Sequence, residues 1–160
     1  MMASVLLVID IQDALSLSND ISVTDNIRAI NALISTYNPQ DVYYIRHLED
    51  GSEFDPNQKT SQLHLELNLV NNQIIHKYHH SAFYQTPLNV LLKKKNIETI
   101  DICGYQIEYC VDATIKTGHY LGYHVRIHQD HIHTFSNHHL TKEQIKTHYL
   151  NQFKLYGKLI

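Results

Sequence analysis

The chain has 160 residues, 43% of them hydrophobic and 18% charged, and its formal net charge at pH 7 is −3. This length predicts a single domain over residues 1–160, and the composition excludes a disordered chain. The basic cluster Lys93-Lys94-Lys95 lies near the end of a predicted helix, where cations complement the helix dipole. We therefore expect no nucleic-acid partner.

Two cysteines are too few for the disulfide framework of a small secreted domain. The N-terminal sequence MMASVLLVIDIQ has no basic segment, and its apolar run is too short for a signal peptide. No stretch of the sequence is long enough to span a membrane. We expect a cytoplasmic protein with no membrane partner, in a reducing compartment that keeps thiols free.

Apolar runs predict three strands in the first half of the chain. Residues 5–9 are continuously apolar and end at Asp10, which is typical of a strand covered on both faces. Residues 41–48 predict the second strand. Residues 73–76 predict the third, and Lys77 follows it directly.

Three helices are predicted by apolar residues that recur at helical spacing. The first begins at a capping box in residues 22–25 and ends at Asn38-Pro39. The second opens at Thr86-Pro87, and the last begins at a capping box in residues 141–144. Their apolar faces, in chain order, are Ile27, Ile30, Ile34 and Tyr37; Leu88, Leu91 and Leu92; and Ile145, Tyr149, Phe153 and Tyr156.

A strand followed by a helix is predicted around Cys110. Residues 100–103 form an apolar run that Gly104 ends, and Val111, Ile115 and Leu121 then follow at helical spacing. Cys110 is thus predicted on the first turn of a helix, where the helix dipole favours a thiolate. A buried structural cysteine explains this position about equally well, and Cys103 is predicted to be core.

Residues 123–128 predict a fifth strand, and the alternation of strands with helices predicts an α/β fold. We expect a mostly parallel sheet between two helical layers. Ligands of such sheets bind beyond the carboxyl ends of the strands, and Asp10, Lys77 and Cys110 all end or follow strands. If each residue is interpreted alone, Asp10 is a cap, Lys77 a surface charge and Cys110 a core thiol. That interpretation requires three independent coincidences at one edge of the sheet.

The sequence resembles the isochorismatase-like cysteine hydrolases in four pieces, LLVIDIQDA, IIHKYHHSAFYQTPL, ICGYQIEYCVDATIKTGHYLGYHV and DHIHTFS. The runs 77–88 and 104–111 are specific when found together. The resemblance implies an αβα sandwich with a parallel sheet of six strands. It also implies a triad of Asp10, Lys77 and Cys110, and a homo-oligomer, either a dimer or a tetramer.

The resemblance implies that such a protein hydrolyses the C–N bond of a small amide or ureide. Asp10 would act as the general base, Lys77 would stabilise the thiolate, and Cys110 would form the acyl-enzyme. The oxyanion hole would consist of the backbone N–H groups of Gln106 and Cys110, with a cis peptide bond between Tyr105 and Gln106.

The metal-binding Asp-x-His pattern of the nicotinamidases is missing, because Arg46-His47-Leu48-Glu49 stands in its place. The closer resemblance is to the metal-free branch, so we expect no cofactor and no metal. Some of the thirteen histidines, such as His128, His131 and His133, have spacings that could hold zinc, but they lack acidic or cysteine partners.

Six side chains are candidates for binding a small-molecule substrate, although core packing explains the aromatic ones equally well. They are His47, Phe54, Tyr78, Phe83, Tyr105 and Tyr109. Two alternatives to the hydrolase remain. A catalytically idle family member would serve as a binding or assembly protein, and a thiol redox protein would need a second cysteine at Cys-x-x-Cys spacing.

Overall fold

A computed structural model describes residues 4–160 and shows one six-stranded parallel sheet between helices. The strands are paired in the order β3-β2-β1-β4-β5-β6. They are β1 (Ser4–Ile9), β2 (Val42–His47), β3 (Ile74–Lys77), β4 (Thr99–Tyr105), β5 (His124–His133) and β6 (Lys158–Leu159). The helices are α1 (Val23–Ile34), α2 (Leu88–Lys94), α3 (Asp112–Tyr120) and α4 (Lys142–Phe153). The predicted α/β class and the six strands are confirmed.

The central strand β1 is covered on both faces, as its continuous apolar run predicts. Val5, Leu7 and Ile9 belong to the core that packs against α2, α3 and α4. Leu6 and Val8 face the other way and pack with α1. Successive side chains of a strand point to opposite faces, so a single run supplies both layers of the sandwich.

Three helical faces are shorter than predicted. Tyr37 lies beyond the end of α1, where its hydroxyl donates to Asp101 Oδ2 at 2.7 Å. Tyr156 lies beyond α4 and packs on the core from the turn that follows the helix. Leu121 lies beyond α3, and both it and Leu91 of α2 are partly exposed. Residues just past a helix can bury an apolar side chain without continuing the helical hydrogen bonds.

One of the two predicted capping boxes is wrong. Asp20 Oδ1 accepts hydrogen bonds from both the backbone N–H and the hydroxyl of Ser22, at 2.9 and 2.7 Å, so Ser22 caps no N–H of α1. Such local turns compete with helix capping. The box of Thr141 with Gln144 is confirmed, because both of its hydrogen bonds are present at the start of α4.

The predicted end of β4 at Gly104 is wrong, because the strand continues through it to Tyr105. Gly104 has φ +120°, and a Cβ placed there would stand 2.2 Å from the carbonyl oxygen of Ile9. The glycine therefore allows β4 to lie against the end of β1. The neighbouring β5 is also longer than predicted, because its pairing with β4 shifts register after Ile127 and resumes at Ile132.

No helix within residues 4–160 has both the length and the hydrophobicity needed to cross a bilayer.

Gly104→Ala should lower the free energy of unfolding by more than about 3 kcal/mol, because the methyl group adds a clash with Ile9 to the backbone strain. Gly122→Ala is the matched control, since Gly122 also has positive φ, but apart from its two chain neighbours no described residue comes within 4 Å of its added Cβ. It should cost only about 1–2 kcal/mol. Urea unfolding measures both, and equal losses would contradict the clash.

Acid should destabilise the fold through His133, whose side chain is partly buried. Burial lowers the pKa of His133 from 6.5 to about 3, so this side chain stays neutral in the folded chain while the unfolded chain binds a proton below pH 6.5. The free energy of unfolding should therefore fall as the pH drops from 6.5 towards 3. His133 contributes up to about 1.4 kcal/mol per pH unit.

The substitution His133→Phe should flatten this pH dependence, since the ring lies against Tyr105 and Phe can fill that place. Exposed His139 provides the control variant His139→Phe, which should keep the wild-type slope. Urea unfolding at pH 7, 5.5 and 4.5 measures the slopes. Parallel curves for the wild type and His133→Phe would contradict the assignment.

Candidate active site

The sheet brings Asp10, Lys77 and Cys110 together at the carboxyl ends of the strands. Asp10 follows β1, Lys77 is the last residue of β3, and Cys110 lies in a single π turn, Ile107–Val111, between β4 and α3. Lys77 Nζ is 2.8 Å from Asp10 Oδ2 and 3.1 Å from Cys110 Sγ. All three side chains are buried, with exposed fractions of 0% for Lys77, 7% for Asp10 and 8% for Cys110.

A fourth residue, His47 at the end of β2, completes the surroundings of Lys77. His47 Nδ1 lies 3.2 Å from Lys77 Nζ. An ammonium group has three N–H donors and no acceptor, so its three partners are Asp10 Oδ2, Cys110 Sγ and His47 Nδ1. His47 must then carry its own proton on Nε2, which lies 3.9 Å from Glu49 Oε2.

The charges of these groups follow from burial and from one another. Burial alone would lower the pKa of Lys77, but the neighbouring Asp10 and Cys110 outweigh it and raise the pKa above its usual value. Lys77 is therefore a cation at neutral pH. Burial, together with the Lys77 ammonium, lowers the pKa of His47, which is therefore neutral there.

Cys110 differs from its prediction in both position and charge. It lies in the π turn before α3, not on the first turn of a helix, because the backbone N–H of Val111 bonds back to Gln106 O over five residues. Burial and the Asp10 carboxylate raise the pKa of the Cys110 thiol, and Lys77 offsets only part of that rise. The resting side chain is therefore a thiol at neutral pH.

Asp10 is placed to accept a proton. Its Oδ2 is bonded to Lys77, whereas its Oδ1 is buried and has no hydrogen-bond partner within residues 4–160. The residue has φ +50°, a left-handed conformation that Asp and Asn tolerate better than most residues. Its backbone N–H donates to Ile45 O at 3.0 Å, which holds the turn against β2.

Gln12 positions the backbone next to the site, and no sequence pattern indicated this role. Its side chain is fully buried and exchanges two hydrogen bonds of 2.9 Å with the backbone of His47. The same amide donates to Ser61 O at 2.7 Å. Gln12 thus ties the ends of β1 and β2 to the segment that closes the loop after β2.

A cavity of about 240 Å³ opens over Cys110. It is lined by Asp10, Leu15, His47, Glu49, Phe54, His80, Tyr105, Gln106, Tyr109 and Cys110. The peptide bond between Tyr105 and Gln106 is cis, as the resemblance implies. A larger depression of about 600 Å³ lies at the opposite edge, beside Thr99 and His124, and contains no cysteine.

Four of the six predicted substrate-binding side chains line this cavity, namely His47, Phe54, Tyr105 and Tyr109. Tyr78 and Phe83 lie outside it. Phe83 is buried in the core and stacks on Tyr123 with ring centroids 5.5 Å apart. Tyr78 is 59% exposed, because its predecessor Lys77 points into the site and successive side chains at a strand end point to opposite sides.

Leu15, Glu49 and His80 line the cavity but were not predicted to do so. Glu49 could have been predicted as a lining residue from the sequence, since it follows β2 at the same edge of the sheet as the triad. Leu15 belongs to a short 3₁₀ helix that no sequence pattern indicated.

One group of three metal-capable side chains occurs within residues 4–160, and it is Asp10, His47 and Cys110. Their ligand atoms lie within 4.8 Å of one another. The Lys77 ammonium forms hydrogen bonds to all three, so it already provides the positive charge that a metal ion would bring. We therefore assign the electrostatics of the site to Lys77.

Comparisons with known proteins agree with this arrangement. A sequence model of the family described as "Isochorismatase domain" matches residues 4–153. The uncharacterized isochorismatase family protein YddQ of Bacillus subtilis (strain 168) is 28% identical over 140 residues, which cover 81% of this chain and 77% of the relative.

Solved structures share the fold. A crystal structure of an isochorismatase family protein superposes with a TM-score of 0.85 and 29% identity, covering 98% of this chain and 97% of the other. The N-carbamoylsarcosine amidase from Thermoplasma acidophilum superposes with a TM-score of 0.81, covering 99% and 95%, at 17% identity. At that identity the likeness concerns the fold alone.

Lys77→Met should lower the free energy of unfolding by about 3–5 kcal/mol, because it leaves the buried Asp10 carboxylate without its cation. Asp10→Asn fits the left-handed backbone, and in the double variant it should restore part of the loss. Urea unfolding of the two single variants and the double variant gives the coupling free energy. Strictly additive losses would contradict a direct interaction.

Proposed function

This chain belongs to the isochorismatase family of hydrolases, and from that membership we propose that it cleaves the C–N bond of a small amide or ureide through an acyl-thioester on Cys110. The observation that supports this most strongly is the buried contact of Lys77 Nζ with both Asp10 Oδ2 and Cys110 Sγ, at 2.8 and 3.1 Å. An acid, an amine and a thiol in mutual reach supply the base, the charge stabilisation and the nucleophile.

The first half of the reaction forms the thioester. Asp10 Oδ1 takes the proton from Cys110 Sγ as the sulfur attacks the substrate carbonyl carbon. Lys77 stabilises the negative charge on sulfur before the S–C bond forms. The tetrahedral intermediate then breaks its C–N bond, and Asp10 returns the proton to the leaving nitrogen.

The second half releases the acid. Water attacks the thioester carbonyl and gives a proton to Asp10, and the C–S bond breaks to regenerate the thiolate. The proton returns from Asp10 to sulfur, which restores the starting state. None of these steps needs a cofactor. In both halves, the backbone N–H groups of Gln106 and Cys110 would stabilise the oxyanion, each by about 3 kcal/mol.

The cavity favours a small substrate. Its volume of about 240 Å³ accepts a compound of few atoms, and half of its lining residues have aromatic rings. Glu49 is the one carboxylate among the lining residues apart from Asp10, and it disfavours an anionic group beside it.

We also propose that the protein acts as a single-domain homo-oligomer, since exposed apolar side chains such as Leu17 and Ile21 would be covered by a second copy.

Ammonia release from a panel of small amides and ureides should be detectable with the wild type and lost with Cys110→Ala. Asp10→Asn should slow hydrolysis by about 10²-fold or more, because it removes the general base. Cys103 is fully buried, so Cys103→Ala is the matched thiol control and should keep its activity. Activity that survives Cys110→Ala would contradict the proposal.

The rate at which iodoacetamide alkylates Cys110 measures thiolate formation independently of amide hydrolysis. The Asp10 carboxylate raises the pKa of Cys110 and Lys77 lowers it. Lys77→Met should therefore slow alkylation of Cys110 at neutral pH, whereas Asp10→Asn should not, even though both variants lose hydrolysis. Equal alkylation rates in wild type and Lys77→Met, with no amide hydrolysed, would favour the idle binding protein.

A further inference from the structure

We propose that His80 is a further catalytic residue, which donates a hydrogen bond from Nδ1 to Cys110 Sγ and stabilises the thiolate. The inference rests on the proposed function, since it requires Cys110 to act as the nucleophile. His80 Nδ1 lies 3.8 Å from Cys110 Sγ, within the range of hydrogen bonds to sulfur. Besides Lys77 Nζ, it is the one side-chain nitrogen within hydrogen-bond distance of this sulfur among residues 4–160.

Two neighbouring rings hold His80 in this position. The His80 ring is stacked on Tyr109 with centroids 5.6 Å apart and an interplanar angle of 28°. It is also stacked on His47, with centroids 6.3 Å apart and an angle of 25°. Both neighbours line the same cavity over Cys110. Stacking on two aromatic neighbours restricts the plane of the imidazole, which favours the orientation that directs Nδ1 at the sulfur.

The sulfur needs a second donor because Lys77 is shared. The three N–H bonds of Lys77 are divided among Asp10, His47 and Cys110, so the sulfur receives only one of them. The groups that face Cys110 are the Asp10 carboxylate after β1, the His47 imidazole from β2, the Lys77 ammonium from β3 and the His80 imidazole. The carboxylate opposes a negative sulfur, and a hydrogen bond from His80 helps to offset it.

His80 also differs from the other groups in its access to water. Asp10, Lys77 and Cys110 are buried, whereas His80 is solvent-exposed at the mouth of the cavity. The titratable groups in contact with it are His47, Tyr109 and Cys110. During thioester formation, the thiol proton passes to Asp10 and His80 keeps its own. Its hydrogen bond thus strengthens as negative charge develops on sulfur.

The chain offers a matched control in the adjacent residue. His79 is exposed like His80, but its ring bonds to Gln85 Oε1 at 3.0 Å and lies against Tyr84, away from the sulfur. His80→Phe keeps an aromatic ring that can stack on His47 and Tyr109, and it removes the N–H donor. His79→Phe makes the same chemical change without reaching Cys110.

The test is the rate of Cys110 alkylation by iodoacetamide as a function of pH, in the full-length chain. His80→Phe should shift the midpoint of this profile up by about one pH unit, which is about a tenfold slower reaction at pH 7. The limiting rate at high pH should stay unchanged, because the thiolate itself remains accessible. His79→Phe should match the wild type, and His80→Gln, which keeps a side-chain N–H, should restore part of the shift.

A midpoint for His80→Phe equal to that of His79→Phe would overturn the proposal, as would a change confined to the limiting rate. If His80→Phe lacks the wild-type circular dichroism spectrum, His80→Leu, which also lacks a donor, decides in its place. Failure of the proposed function would look different, because Lys77→Met would then also leave the midpoint unchanged and no amide would be hydrolysed.

Discussion

The site depends on one buried ammonium group. Lys77 has no exposure to solvent, and each of its three N–H bonds is directed at a different strand end or turn, to Asp10, His47 and Cys110. Burying a charge costs several kcal/mol unless its partners satisfy it fully. The sheet order β3-β2-β1-β4 meets this requirement, since it places the three acceptors around the end of β3.

This arrangement also explains why a thiol with a raised pKa suits the proposed reaction. Burial and the Asp10 carboxylate keep the sulfur protonated at rest, and in the proposed reaction the thiol becomes the nucleophile by passing its proton to Asp10. Substrate attack and proton transfer are then parts of one step. A thiol that is protonated at rest is also less open to oxidation than a standing thiolate.

The sequence was most informative where a pattern is strictly local. The apolar run of β1 and the Thr141 capping box were predicted correctly, and the rule that ligands bind beyond the carboxyl ends of parallel strands brought Asp10, Lys77 and Cys110 together. Prediction failed where a contact or a hydrogen bond that residue spacing does not encode decides the local structure. Gly104 was predicted to end β4, but the strand continues through it because a residue without a side chain lets β4 approach Ile9 closely. The π turn depends on the hydrogen bond from Val111 N–H to Gln106 O, which no residue spacing indicates.

The hydrogen bonds of Gln12 have a consequence for how this protein can change. They hold both ends of the segment between His47 and Ser61 at Gln12, just after β1, while Glu49 and Phe54 within that segment form part of the cavity wall. Residues between the two fastened ends can therefore be exchanged without displacing the reacting atoms. Selection for substitutions in this segment would then change which compounds enter the cavity while Asp10, Lys77 and Cys110 keep their positions.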